Sequence, residues 1–213
     1  MDPGESNPAH RLAAMLRPAI GDPRVLEAIA SIPRERFVAA QLLSRAYDNA
    51  PLPIGCGQTI SQPLVVARMC ELLELEPGDR TLDVGTGSGY HAAILARLCA
   101  HVWSVERHTS LSDQAAANLR AAAIGNVTLS VGDGSRGLPA HAPFDAINVA
   151  AAAWHVIPGT LQMQLALGGR LVAPVDQGRR GEHLVLVRRH AGGFERQTLE
   201  PVRFVPLIDE TLE

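Results

Sequence analysis

The chain has 213 residues, of which 46% are hydrophobic, 19% charged and only 4% aromatic, so its core must be built mainly from Ala, Leu, Val and Ile. That length suits one domain with a full core and at most a small extra lobe. With 19 basic against 22 acidic residues the formal net charge is -3, which argues against a polyanion-binding surface and hence against a nucleic-acid partner.

Residues 1–8 are polar and carry no signal-peptide core. No stretch approaches the ~18 apolar residues that span a bilayer. Cys56, Cys70 and Cys99 are widely spaced with no C-x-x-C, the pattern of a reduced compartment rather than of a disulfide framework or a zinc site. These features predict a soluble, cytoplasmic chain without a membrane partner, and with no long exposed apolar element the expected state is a monomer.

In chain order, Leu12, Met15 and Leu16 stand at helical spacing. Asp22-Pro23 then opens a second helix with Val25, Leu26, Ile29 and Ala30 on one face, ended by Pro33. Arg34 to Val38 predicts a short turn. Pro51 to Pro63 is dense in Gly and Pro and reads as a loop, long enough to suggest a functional one. Beyond it helices are predicted over 64–75, 91–99, 110–123 and 161–165. Strands are predicted over 81–84, 102–105, 127–131, 144–149, 170–175, 184–188 and 201–205. Apolar strands alternating with helices describe an α/β fold with a doubly wound, mainly parallel, seven-stranded Rossmann-like sheet. The final strands lack intervening helices, which predicts an antiparallel edge. The expected organisation is a single domain, with residues 1–62 forming a helical lobe and loop and residues 63–213 an α/β core.

The strongest local signal is Thr81-Leu82-Asp83-Val84-Gly85-Thr86-Gly87-Ser88-Gly89-Tyr90. A strand runs into three glycines and a helix follows at once, so backbone N–H groups can approach a ligand closely. Glu106 ends the next strand, where an acid can accept hydrogen bonds from both hydroxyls of a ribose. A dinucleotide site wants G-x-G-x-x-G, and the last position of that register is Tyr90. The spacing present is G-x-G-x-G, with Asp83 two residues ahead, as in the first motif of S-adenosylmethionine methyltransferases. There the acid helps hold the methionine end, and Asp133 with Gly134 after the third strand fits the same proteins' adenine site. A plain strand-to-helix turn would also use such glycines.

Leu52-Pro53-Ile54-Gly55-Cys56-Gly57-Gln58-Thr59-Ile60-Ser61-Gln62-Pro63 resembles the active-site segment of protein-L-isoaspartate (D-aspartate) O-methyltransferases. The resemblance continues in order through Ile32 to Val38, Leu82 to Ala93, Ser104 to Arg107, Asn126 to Thr128, Gly132 to Gly134, Ala142 to Ile147, Gly168 to Val172 and Pro201 to Leu207. It covers residues 25–208. It implies S-adenosyl-L-methionine as cofactor, isoaspartyl proteins or peptides as partners, and methylation of an isoaspartyl carboxylate that then closes to a succinimide. It implies donor contacts from Thr59, Ile60, Asp83, Gly85, Thr86, Gly87, Ser88, Gly89, Glu106, Asp133 and Gly134. Ser61 becomes the active-site residue, positioning the carboxylate by a hydrogen bond rather than acting as a nucleophile. Thr59, Ile60, Ser61, Val205, Pro206 and Leu207 become the substrate wall. Read without the resemblance, Ser61 is a helix N-cap ahead of Pro63.

The chain departs from the family after the fourth strand. Ala150-Ala151-Ala152-Ala153 leads to Trp154-His155-Val156-Ile157-Pro158, with one proline lost and a residue gained. Trp154 is either an ordinary core or surface aromatic or part of an altered substrate pocket. His91 replaces a common Gln, and Asp83 a common Glu. Rival readings are an aspartyl methyltransferase dedicated to one precursor peptide, a non-catalytic cofactor-binding module, and a nicotinamide oxidoreductase.

Overall fold

A computed structural model describes residues 7–208; most of the expectation for residues 1–8 lies outside the described residues. The chain opens with α1 (Pro8–Leu16) and α2 (Pro23–Ser31), each entered through a side-chain cap, Asn7 and Asp22, that accepts an otherwise orphaned N–H. Leu12 and Leu16 of α1 and Val25, Leu26 and Ile29 of α2 are buried, whereas Met15 faces outward. Short 3-10 turns follow at Arg34–Phe37 and Ala40–Arg45.

The segment expected to be a loop is a β-hairpin, β1 (Leu52–Gly55) and β2 (Gln58–Ile60). Cys56 and Gly57 form its tip with φ of 50° and 70°. Both central residues at positive φ match the twist of paired strands, so the hairpin closes in two residues. Pro53 hides this strand from a propensity reading.

The remaining elements are α3 (Pro63–Leu73), β3 (Arg80–Val84), α4 (Tyr90–Ala96), β4 (His101–Glu106), α5 (Thr109–Ala121), β5 (Val127–Val131), β6 (Phe144–Val149), β7 (Ala153–Trp154), α6 (Gly159–Met163), β8 (Leu165–Asp176), β9 (Glu182–His190) and β10 (Gly193–Pro201). The sheet order is β10-β9-β8-β6-β3-β4-β5, with two-residue β7 attached to β8. Pairings from β8 to β5 are parallel, and β8-β9 and β9-β10 are antiparallel. This is the expected mainly parallel α/β sheet.

The last strand is not where the apolar run suggested. The hairpin at Ala191-Gly192 starts β10 at Gly193, and its polar Glu195 to Glu200 stretch is an edge strand that needs no continuous hydrophobic sequence. Residues 202–207 leave the sheet instead and cross to β7, where Ala152 bridges Pro206.

β4 and β6 flank β3 on opposite sides, so the chain reverses direction across the sheet at β3, the position where such folds open a crevice beyond the strand carboxyl ends. One buried cluster joins Leu12, Ile29 and Ile32 of the leading helices to Met69 and Leu73 of α3, Ile94 of α4 and Val172 of β8. None of the helices among the described residues is long and apolar enough to cross a membrane.

Arg170 of β8 ties α3 to this frame. Its Nε donates to the Leu73 carbonyl (2.7 Å), and its Nη2 to the Glu74 carbonyl (2.5 Å) and to Asp79 (3.0 Å). It satisfies the carbonyls a helix leaves unpaired at its C-terminus. Arg170→Ala is expected to cost about 2 kcal/mol, measured as a lower urea midpoint at unchanged m-value.

Candidate active site

The glycine loop leaves β3 at Gly85 and enters α4 at Tyr90. Gly85, Gly87 and Gly89 have φ of 92°, 54° and 89°, a backbone region closed to most side chains. The Gly85 N–H donates to the Val105 carbonyl at 2.9 Å, and Gly89 N–H to the Thr86 carbonyl at 2.8 Å. The loop is therefore pinned to β4 and to itself.

A cleft of about 510 Å³ opens over this loop, lined by Thr59, Gly85, Gly87, Glu106, Asp133, Gly134, Ala150, Ala151 and residues 205–208 among others. A small chamber of about 30 Å³ lies beside it, lined by Thr59, Ile60, Ser61, Thr86, Ser88, Tyr90 and His91. Thr59, Gly85, Gly87 and Ala150 line both, so the two spaces share a wall.

Most of the sequence-predicted residues thus converge, but in two groups. Gly85, Gly87, Glu106, Asp133, Gly134, Val205, Pro206 and Leu207 line the cleft, and Ile60, Ser61, Thr86 and Ser88 line the chamber. Asp83 and Gly89 line neither. Gly89 serves packing, since a Cβ there would meet Ala115 and Leu119 of α5 at 3.3 Å.

Asp83 points into the sheet. It is fully buried and accepts hydrogen bonds from Ser104 Oγ and Asn148 Nδ2, both at 2.7 Å. Burial raises its pKa to about 6 despite these donors, and the nearby Glu106 charge pushes the same way. The Ser104 hydroxyl also contacts Thr86 Oγ1 at 2.6 Å, which extends the network to the glycine loop. On its other flank Asn148 Nδ2 lies 3.2 Å from His91 Nδ1, and His91 Nε2 lies 3.5 Å from Cys70 Sγ. One Asn148 proton to each acceptor makes His91 Nδ1 the bare nitrogen. Burial lowers the His91 pKa to about 3, so it is neutral at physiological pH.

Glu106 takes the Gly87 N–H (2.9 Å) on one oxygen and the His108 N–H (3.0 Å) on the other. A carboxylate oxygen can accept twice, so each keeps capacity toward the cleft. Asp133 spends Oδ1 on the Ser135 N–H and hydroxyl. Its buried Oδ2 has no hydrogen bond among the described residues, where Arg136 Nε is its ion-pair partner at 3.4 Å. Gly134 beside it has no room for a side chain, since a Cβ would lie 2.6 Å from Val84. A spare acceptor, a two-oxygen acid and a tight glycine cradle around one cleft fit an adenosine-bearing ligand.

Ser61 is not an N-cap. The cap position of α3 is Gln62, with no side-chain bond, and Asn49 Oδ1 takes the Leu64 N–H at 3.0 Å instead. The Ser61 hydroxyl has no hydrogen bond to the described residues, while its carbonyl is held by Arg34 Nη2 at 3.1 Å.

Arg34, which sequence reasoning placed only in a turn, is the hidden organiser of this loop. It is completely buried, and Nη2 also bonds the Ala50 carbonyl at 3.2 Å. Its guanidinium sits 5.1 Å from the centroid of the Tyr90 ring, the first residue of α4. One cation therefore fixes both ends of the β1-β2 hairpin and abuts the helix that follows the glycine loop. Tyr47 bonds Glu35 next door.

A model of the family described as protein-L-isoaspartate(D-aspartate) O-methyltransferase (PCMT) matches residues 11–212. This chain belongs to that family. It is 50% identical over 198 residues to a protein-L-isoaspartate O-methyltransferase of Paracoccus denitrificans, covering 93% of this chain and 91% of that one. A Vibrio cholerae relative of the same description is 50% identical over 205 residues, covering 95% and 97%. Among solved structures, a protein-L-isoaspartate O-methyltransferase superposes with a TM-score of 0.85 at 28% identity, over 93% of this chain and 65% of that longer one. A Plasmodium falciparum structure described as a putative member, in complex with S-adenosyl-L-homocysteine, gives 0.80 at 26% identity over 93% and 97%.

Two predictions follow from the buried groups. An unfolded His91 protonates near pH 6.5 and the folded one near 3, so its stabilising contribution is full above 6.5 and lost as pH falls. Asp83 works oppositely: its contribution is full below 3.8 and lost as pH rises through about 6. His91→Gln deletes only the first effect. The variant should therefore lose less stability than the parent between pH 7 and pH 5, read from urea midpoints; parallel slopes would exclude this role. Arg34→Met leaves the Ala50 and Ser61 carbonyls unbonded, at about 1–3 kcal/mol each. Amide exchange should rise in residues 52–62 and stay unchanged in β5.

Proposed function

We propose that this chain transfers the methyl group of S-adenosyl-L-methionine to the L-isoaspartyl carboxylate of damaged proteins and peptides, the step that initiates their repair. The observation that carries the reading is the Ser61 hydroxyl, without a hydrogen-bond partner among the described residues, in a chamber sharing its wall with the cleft that Glu106 and Asp133 line. Glu106 is placed to accept from ribose hydroxyls and Asp133 Oδ2 from an adenine amino group. Gly85 and Gly87 present bare backbone on the wall between cleft and chamber, beside Thr59 and Ala150. The bound cofactor supplies a sulfonium methyl, an electrophile that needs no activation by the protein.

A carboxylate with a pKa near ~4 is ionised at neutral pH, so no general base is required. The protein's work is to hold the carboxylate oxygen in line and exclude water from it. Ser61 donates a hydrogen bond to the second oxygen and fixes that line. Thr59 and Ile60 close one side, and the crossing segment Val205 to Leu207, bonded through its backbone to Ala152, presents the other. The methyl ester formed has a good leaving group. Attack by the next backbone nitrogen on the ester carbonyl expels methanol, closes a succinimide, and hydrolysis returns part of the chain to normal aspartate.

The same reading takes the chain as one methyltransferase domain, with residues 1–62 as lobe and loop and 63–213 as core; the buried cluster that joins α1 to β8 supports it. It takes the protein as a cytoplasmic monomer, consistent with the free Cys56, Cys70 and Cys99.

The test uses methyl-labelled S-adenosyl-L-methionine with two peptides that differ only in isoaspartyl against aspartyl linkage. Base-labile label on the isoaspartyl peptide alone is expected. Ser61→Ala should lower kcat about 10- to 100-fold, the worth of a hydrogen bond to a charged group, with donor affinity unchanged. Full turnover in Ser61→Ala would remove the positioning role, and label on neither peptide would remove the substrate.

A further inference from the structure

The segment after β6 builds a surface that the cleft does not use. Ala150 and Ala151 line the cleft. Ala152 donates to the Val205 carbonyl and accepts from the Leu207 N–H, both at 2.8 Å, and so joins the opposite wall. Two residues on, Trp154 pairs with Asp176 at the end of β8. The chain thus runs without a break from the cleft wall to the outer rim of the sheet.

On that rim two hydrophobic side chains stand in water: Trp154 is 62% exposed and Val156 73%. Trp154 is braced from behind rather than loose. The His155 ring meets it edge-on with centroids 4.5 Å apart, and the His155 N–H donates to the Asp176 carbonyl at 2.9 Å. The His155 ring also reaches the β8-β9 turn, where a Cβ on Gly178 would lie 3.6 Å from its Cε1. Arg179 and Arg180 follow Gly178 in that turn, both exposed and without a hydrogen-bond or ion-pair partner among the described residues. The neighbouring acids do not answer them. Asp176 takes the Gly178 N–H (2.8 Å) and Glu182 the Phe204 N–H (2.7 Å).

Exposed arginines alone signify little, and so does one exposed aromatic. Here a braced Trp and an exposed Val follow the cleft wall along the chain, and the His155 ring between them reaches the turn that carries two cations unpaired among the described residues, in a chain of net charge -3. Trp and Arg are the residues that most often anchor a bound polypeptide. We propose that Trp154, Val156, Arg179 and Arg180 form an extended substrate subsite that binds the polypeptide flanking the target residue, selecting apolar and acidic side chains there. The inference rests on the methyltransferase reading above and adds which substrates it prefers.

Steady-state methylation of isoaspartyl peptides of equal length, one flanked by Leu and Glu and one by Ser and Lys, tests it. The native enzyme should show a KM about tenfold lower for the Leu/Glu peptide. W154A and the double reversal R179E/R180E should each abolish most of that difference through KM, with kcat within about twofold and the melting temperature retained, as expected for exposed positions. Equal KM values for the two peptides would overturn the subsite while leaving the activity standing. A preference that survives both variants would place the selectivity elsewhere and overturn it too. A concentration-dependent dimer lost in W154A, with KM unchanged, would assign the patch to a second copy of the chain. Failure to methylate either peptide would instead overturn the activity itself, and the subsite with it.

Discussion

A single buried carboxylate holds the middle of the sheet. Asp83 on β3 lies in register with Ser104 on β4 and with Asn148 on β6, and bonds the side chains of both. Burying a carboxylate away from water is costly unless donors surround it, and these two donors come from the strands on either side of the reversal point. The cost is only partly met, since the group's pKa stays raised at about 6. The expense is tolerated where strand ends must not drift. Through Ser104 the same network reaches Thr86, so the loop that forms the cleft floor is anchored from below by a polar chain and from the side by the Val105 carbonyl.

Arg34 is the counterpart on the other side of the chamber. A buried guanidinium without a carboxylate partner is unfavourable to folding, and burial here lowers its pKa. In return, one guanidinium nitrogen, Nη2, ties the Ala50 and Ser61 carbonyls together, so the hairpin between them cannot slide independently of its base. The Tyr90 ring beneath it belongs to the helix that the glycine loop opens. The glycine loop and the hairpin that border cleft and chamber therefore rest on a buried anion and a buried cation, each bonded only to neutral groups among the described residues. Strength of that kind is directional, which is what alignment of two reactants demands.

How far this was legible in the sequence depended on which physical signal each residue leaves. The central parallel strands β3, β4 and β6 are largely buried and show as apolar runs, so they were readable, as were the apolar alternation of the edge strand β5 and three glycines between a strand and a helix. The same burial concealed Asp83. In a strand packed on both sides, alternation does not separate a residue facing a ligand from one facing the core, and the acid was assigned to the cofactor. The edge strand β10 left no apolar run, so the last strand was sought over Pro201 to Val205, beginning at the residue where β10 ends. Arg34 sits in a 3-10 turn with no periodicity, and a charged residue there reads as exposed. Its role exists only once Ala50 and Ser61 are brought together.

The rim around Trp154 differs in kind from these supports. Asp83, Arg34, Glu106 and Asp133 are held by hydrogen bonds to main chain or to neighbouring strands, so replacing any of them disturbs the frame. Trp154 sits on a two-residue strand, Val156 just beyond it, and Arg179 and Arg180 in a turn, and their exposed side chains support nothing beneath them. His155 even takes a positive φ of 60°, which costs a non-glycine residue energy that the fold does not recover in buried area. A change of length at this point alters only the connection between β6 and α6, leaving the register of β6 with β3 and β8 intact. Change is cheap there in folding terms and close to the substrate in chemical terms, so selectivity can diverge at the rim while the reacting geometry behind it stays fixed.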